Sequence, residues 1–276
     1  MSRRTIASSR DVAGVGLHMG VECRLGFEPA AAGSGVRFRR TDRGGAEIPA
    51  RVDRAVLAER RTQLGEGADA IHTVEHVLAA VAALEIDDLV ITMDGPEPPI
   101  LDGSAGPFFE ALGRAGIREQ PGDRDTFSVG AEVRMTDGES EYVAEPGTGL
   151  DLDVEIVFPH PAIGRQRGEY RITRDSFARE LAGARTFGFV HEVDALRAKG
   201  LIRGASTRNA VVLDETGVVD TELRWPDEFV RHKAMDCVGD LALIGGRLNA
   251  RVRAVRPSHR GTILFVRELA RVATRS

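Results

Sequence analysis

Two stretches of this chain, TVEHVLAAV at 73–81 and FVRHKAMDCV at 229–238, each put a histidine in the first turns of a segment with helical apolar spacing. Each is followed by a strand-like run, DDLVITM or LNARVRAV, and then by a helix-like run, GPFFEALGRAG or GTILFVRELARV. Strand-like runs also precede each: VECRLGF and GVRFRR in the first half, then TFSVGAEVRM, EYVAEP and LDLDVEIVF in the second. A plan repeated in that order predicts a duplicated α+β unit, with domains expected at 1–120 and 126–276. The polar REQPGDRD at 118–125 reads as the linker between them. If the halves pack about a pseudo-twofold axis, His76 and His232 can face one another. The run from 184 to 213 is expected to be an insertion with no counterpart in the first half, and it mixes Phe187, Phe189, Val190, Leu196, Leu201 and Ile202 with glycines.

The second histidine segment carries more chemistry than a core helix needs. His232, Asp236 and Asp240 recur every four residues and so stack on one helix face. Buried charge is costly unless it is paired or bound to a metal, so the stripe implies a salt bridge, a metal or a catalytic site. Catalytic zinc takes three protein ligands and leaves a position for water, and His76, His232 and Asp236 supply such a set from both halves. Glu75 projects about 100° around the helix from His76, off the metal but near its water, where a carboxylate can take a proton. Each residue also has a bland reading. Glu75 can be a helix-start acid favoured by the dipole, His76 a satisfied core histidine and Lys233 a solvated cation. Asp240 can orient a neighbour, His259 can be an N-terminal polar residue, and the arginines of RLNARVRAVRPSHR can form the wet face of a strand.

Composition removes several classes of function. Lys and Arg total 37 against 42 Asp and Glu, a formal charge of −5, so wholesale nucleic-acid binding is excluded as an expectation. Cys23 and Cys237 form neither a disulfide framework nor a thiolate zinc motif, which fits a reducing cytoplasm. The N-terminus has no apolar signal core, and no apolar run approaches the ~20 residues of a membrane span.

The segments GVGLH (14–18), TVEH (73–76), EPPILDGSAGPF (97–108), RTFGF (185–189) and DEFVRHKAMDCVGDL (227–241) resemble those of the zinc-dependent UDP-3-O-acyl-N-acetylglucosamine deacetylases of lipid A biosynthesis. The resemblance runs in order over essentially the whole chain. It implies an α+β fold of two similar domains, each a helical layer on a small β-sheet, packed as a β-α-α-β sandwich with the active site between the layers. By motif, it implies that His76, His232 and Asp236 bind Zn2+, with Fe2+ accommodated by the same ligands, and that Glu75 is the general base. It further implies that Lys233 and His259 stabilise developing charge or protonate the amine, that Thr186 hydrogen-bonds the oxyanion and that Asp240 orients His259. The insertion, with Phe187, Phe189, Leu196, Leu201, Ala205 and Ser206, would form the acyl-chain passage, and Phe158 and His160 would lie toward the nucleotide.

The sequence departs from the family pattern at Met19, at Ala205 and at Thr262, where the family has asparagine three residues after the last histidine. The implied protein is a stand-alone monomeric cytoplasmic deacetylase that takes an acylated UDP-sugar. Two rival readings remain at this level: a zinc amidase for another acylated amine, and a silent zinc-stabilised nucleotide-sugar-binding protein. The apolar insertion speaks for a lipid-bearing substrate. Glu75 beside the ligand set speaks against a purely structural metal.

Overall fold

The structure is a computed structural model that describes residues 2–276. Its first half holds a five-stranded sheet in the order Arg10–Val15, Glu22–Pro29, Leu89–Met93, Val36–Arg40, Ala46–Pro49. The central pair Val36–Arg40 and Leu89–Met93 is parallel and the other three pairings are antiparallel. The second half repeats the arrangement with Val133–Asp137, Ser140–Pro146, Arg247–Val255, Leu150–Phe158 and Gly164–Arg171. Among these five too the one parallel pairing joins Leu150–Phe158 to Arg247–Val255, while Thr126–Ser128, parallel to Arg247–Val255, and Thr274–Arg275 extend this sheet to seven strands. Identical strand order and sense in both sheets make the duplication a matter of topology as well as of sequence.

The helices are α1 (Glu75–Ala83), α2 (Gly106–Ala115), α3 (Arg174–Glu180), α4 (Val193–Ala198), α5 (Glu228–Leu241) and α6 (His259–Val272). In each half one helix, α1 or α5, precedes the last strand of the five and another, α2 or α6, follows it. The strands alternate as a half-solvated sheet should: Cys23, Leu25 and Phe27 are buried between exposed or half-buried neighbours, as are Leu248, Ala250, Val252 and Ala254. Arg251 and Arg253 point to water, as the wet-face reading of that strand expects. Helix α1 is buried almost all round, and α1 and α5 pack on each other between the sheets.

The packing of α1 on α5 depends on Gly239. A β-carbon there would stand 1.9 Å from the Glu75 carbonyl oxygen, so any larger residue would push the two backbones apart. Among the described residues, no helix is long and apolar enough to cross a membrane.

Four expectations need correction. Residues 118–125 are not a free linker, because Ile117–Asp123 pairs antiparallel with Ser2–Ile6. Pro121 and Gly122, which read as turn chemistry, fall where the register skips from Gln120 to Asp123, a bulge in a two-stranded ribbon that tolerates both residues. TFSVGAEVRM is split into Thr126–Ser128 and Val133–Asp137. The first histidine helix starts at Glu75 and not at Thr73, since Ile71–His72 pairs with Gln63–Leu64 and Thr73 takes a left-handed φ of 54°. Finally, the insertion has a counterpart. The second half inserts Phe187–Phe189, α4, Val211–Leu213 and Val218–Val219 before α5. The first half inserts the small sheet Ala55–Val56, Gln63–Leu64, Ile71–His72 at the same place before α1. Strands of two residues leave too little periodicity to read.

Gly239→Ala forces a side-chain atom against backbone, and overpacking of this kind costs about 3 kcal/mol or more. Denaturant unfolding should register that loss. Gly113→Ala, where the added carbon meets nothing within 4 Å in α2, should be neutral or stabilise by up to ~1 kcal/mol.

Candidate active site

The close approach of α1 and α5 puts His76 against His232, with ring centroids 5.2 Å apart and the rings edge to face. Asp236, one turn beyond His232, places Oδ1 3.5 Å from Nε2 of each histidine. One donor atom from each residue lies within 4.8 Å of the others, and all three side chains are buried. Asp236 Oδ1 is buried and accepts no hydrogen bond among the described residues. A buried carboxylate oxygen aimed between two imidazole nitrogens and otherwise unsatisfied is what a metal ligand requires, so the residues fit a divalent ion. The orientation of His232 agrees: its Nδ1 lies 3.1 Å from the Ala184 carbonyl, which leaves Nε2 for the cluster. Burial pushes the His232 imidazole down to about 4, which keeps it neutral and able to ligate near pH 7.

Charge around the cluster is arranged in pairs. Lys233 Nζ donates to Asp236 Oδ2 at 2.9 Å. Burial disfavours both charges, but the ammonium is held protonated by Asp236. The carboxylate is held well below its usual range by His232, Lys233 and His259. Glu75 is 2 % exposed, and burial pushes its carboxyl up against the pull of His259 and His76. His259 Nε2 stands 3.6 Å from Glu75 Oε1 and 3.7 Å from Asp236 Oδ2, while Nδ1 is 2.9 Å from Asp240 Oδ2. Burial works against the His259 imidazolium, yet Asp240 and Glu75 outweigh it and raise its pKa to about 9. Both shifts, of Glu75 and of His259, are in the direction that suits proton transfer near neutrality. The change at Thr262 does not displace His259. Thr262 Oγ1 donates inward to Ser258 O at 2.9 Å, and Ser258 caps α6 by accepting from Gly261 N.

These groups form the floor of a cavity of about 730 Å3. Glu75, His76, His232, Lys233, Asp236 and His259 line it, with Thr186 at the start of the inserted sheet. Its walls are apolar and include Phe158, Phe187, Phe189, Leu196 and Ala205. Asp240 lies behind His259, outside the lining. Leu201, Ser206 and His160 are also outside it. Leu201 is buried, with its N–H donating to Leu196 O; Ser206 N donates to Asn209 Oδ1 at 2.8 Å; and His160 Nε2 meets the Asp214 carbonyl, its ring beside Phe189.

Several residues that build the site carry no signal that periodicity or spacing could expose. Thr62, 1 % exposed, donates its backbone N–H to Glu75 Oε2 at 3.1 Å and its hydroxyl to Asp240 Oδ1. Arg185 forms a buried two-point pair with Glu228 at 2.8 and 3.0 Å, which fixes the segment entering Thr186 to the start of α5. Glu97 accepts from His18 N, Met19 N and Thr73 Oγ1, which ties the GVGLH turn to the strained residue just before α1. Arg185, Glu228 and Glu97 sit inside segments singled out above, but pairings this distant in sequence are visible only in the fold.

The family model described as UDP-3-O-acyl N-acetylglycosamine deacetylase matches residues 3–271. A protein of Phenylobacterium zucineum named UDP-3-O-acyl-N-acetylglucosamine deacetylase is 42% identical over 276 residues, covering 98% of this chain and 94% of that protein. Proteins of the same name from Bdellovibrio bacteriovorus and Nautilia profundicola are 43% and 38% identical, covering 93% and 98% of this chain and 86% and 92% of their own. With a match of that extent and a complete cluster between its two halves, the chain belongs to the UDP-3-O-acyl-N-acetylglucosamine deacetylase family.

Proposed function

We propose that this chain hydrolyses the 2-acetamido group of UDP-3-O-acyl-N-acetylglucosamine to a free amine and acetate, as a cytoplasmic step of lipid A synthesis. The observation that carries the reading is the joint one: His76, His232 and Asp236 converge beside Glu75 and His259 at the foot of an apolar-walled cavity. His76, His232 and Asp236 would hold the metal, zinc in this reading. When bound, it supplies Lewis acidity toward the amide carbonyl and toward water.

The chain's own residues do the rest. Glu75 takes the proton of the attacking water, and burial makes its carboxylate a stronger base than one in solvent. Asp240 at Nδ1 and Glu75 near Nε2 hold His259 as the imidazolium, so Nε2 carries a proton that it delivers to the departing amine. Lys233 balances Asp236 and, with Thr186, stabilises the oxyanion that develops at the amide carbon. Phe187, Phe189, Leu196 and Ala205 line the wall that would receive the acyl chain. Leu201 and Ser206 lie behind that wall, outside the lining. Phe158, in ring contact with Phe187 and Phe189 at 5.5 and 6.0 Å, and His160, beside Phe189, would lie toward the nucleotide.

Removal of any one ligand, as His76→Ala, His232→Ala or Asp236→Ala, should cost the single bound metal and the activity together, read by metal analysis on the purified protein. Glu75→Ala should retain the metal and lose about 10²- to 10⁴-fold in rate. Full metal occupancy in the three ligand variants would contradict the assignment. The passage is tested separately. Each methylene removed from water contributes about 0.8 kcal/mol, so shortening the acyl chain by several carbons should lower kcat/KM by orders of magnitude. Ala205→Trp should penalise the long-chain substrate more than a short-chain analogue. Equal efficiency on acylated and de-O-acylated UDP-N-acetylglucosamine would instead indicate a general amidase.

A further inference from the structure

Thr62 stands between the two carboxylates that address His259. Its backbone N–H donates to Glu75 Oε2 at 3.1 Å, which leaves Oε1 facing His259 Nε2 at 3.6 Å. Its hydroxyl donates to Asp240 Oδ1, which leaves Oδ2 for His259 Nδ1 at 2.9 Å. One residue therefore takes one oxygen of each carboxylate and leaves the other to one nitrogen of the imidazole. Glu75 comes from α1, whereas Asp240 and His259 come from α5 and α6, so Thr62 also joins the halves of the chain at the acid and the base.

The loop that brings Thr62 here is firmly held. Val74 N–H donates to the Thr62 carbonyl at 3.4 Å, just before α1. Two residues earlier, Arg60 takes a left-handed φ of 60°, and its guanidinium binds both oxygens of Glu192 at 2.9 and 2.6 Å. Backbone strain kept in place by an ion pair across the cavity mouth is a feature of segments that position a site.

We infer that Thr62 is a positioning residue of the deacetylation. By dividing the oxygens of Glu75 and Asp240, it aligns the base and fixes the His259 ring orientation that turns Nε2 toward the reacting atoms. The inference rests on the proposed deacetylase reading, but its spectroscopic consequence needs no substrate. A purely structural Thr62 would need only its shape, which valine supplies. A positioning Thr62 needs the hydroxyl, which serine also supplies.

The experiment compares Thr62→Val and Thr62→Ser with the wild-type holoenzyme. For Thr62→Val, kcat should fall about 10- to 100-fold, the range for loss of an outer-shell partner, with KM and metal content unchanged. Thr62→Ser should restore most of kcat. Nitrogen-15 NMR should give a slowly exchanging His259 Nδ1 proton in the wild type and in Thr62→Ser, lost to exchange in Thr62→Val. If Thr62→Val does not fold, Thr62→Ala replaces it in the same comparison. Wild-type kcat with an unchanged Nδ1 signal in the valine variant, or equal impairment of the valine and serine variants, would overturn the inference. A wild-type enzyme that shows the NMR pattern and fails to turn over the acylated UDP-sugar would uphold the inference about Thr62 and remove the substrate assignment instead.

Discussion

The distance between α1 and α5 governs the rest of this molecule. The two helices come from opposite halves of a duplicated chain, and the absence of a side chain at Gly239 lets α5 lie against the Glu75 carbonyl. Because Glu75 and His76 open α1 while His232, Asp236 and Asp240 follow one face of α5, that one contact sets the separation of Glu75, the His76–His232–Asp236 cluster and Asp240 behind His259. A site assembled from two halves of a chain needs such a hard constraint. Packed backbone is less compliant than side chains, and catalytic geometry tolerates only small errors.

The same contact explains why the core is so polar. Glu75, His76, His232, Asp236 and Asp240 are each no more than 4 % exposed, in positions where leucine or alanine would make a more stable sandwich. With Glu75 ionised, three carboxylates face Lys233 and a protonated His259, an excess of negative charge that favours binding of a cation. Hydrogen bonds satisfy the remaining oxygens through Thr62, and a ring nitrogen through the Ala184 carbonyl, but Asp236 Oδ1 has no such partner among the described residues. Buried polarity that stays incomplete without a ligand points to chemistry in preference to stability.

Much of this was legible in the sequence because it repeats. His76 and His232 stood out as equivalent positions in two similar segments, and the stripe through Asp236 and Asp240 followed from helical spacing. The apolar character of the 184–213 run likewise foretold a wall of the cavity. What stayed hidden depends on long-range pairing or on elements too short to show a period. The small sheet that carries Gln63 and Leu64 has strands of two residues, so neither it nor Thr62 beside it left a pattern. Pro121 and Gly122 mimicked a linker because a bulge and a turn need the same backbone freedom. Leu201 and Ser206 lie within the 184–213 run but outside the cavity lining, since a folded insertion has an outside as well as an inside, and His160, earlier in the chain, also lies outside it.

X-ray absorption at the metal edge of the zinc-loaded protein tests the central claim most directly, because it reads the ligand atoms themselves. The account predicts two imidazole nitrogens, one carboxylate oxygen and one further oxygen that does not come from the chain. A shell containing sulfur from Cys237, or one closed by a fourth protein ligand, would contradict it.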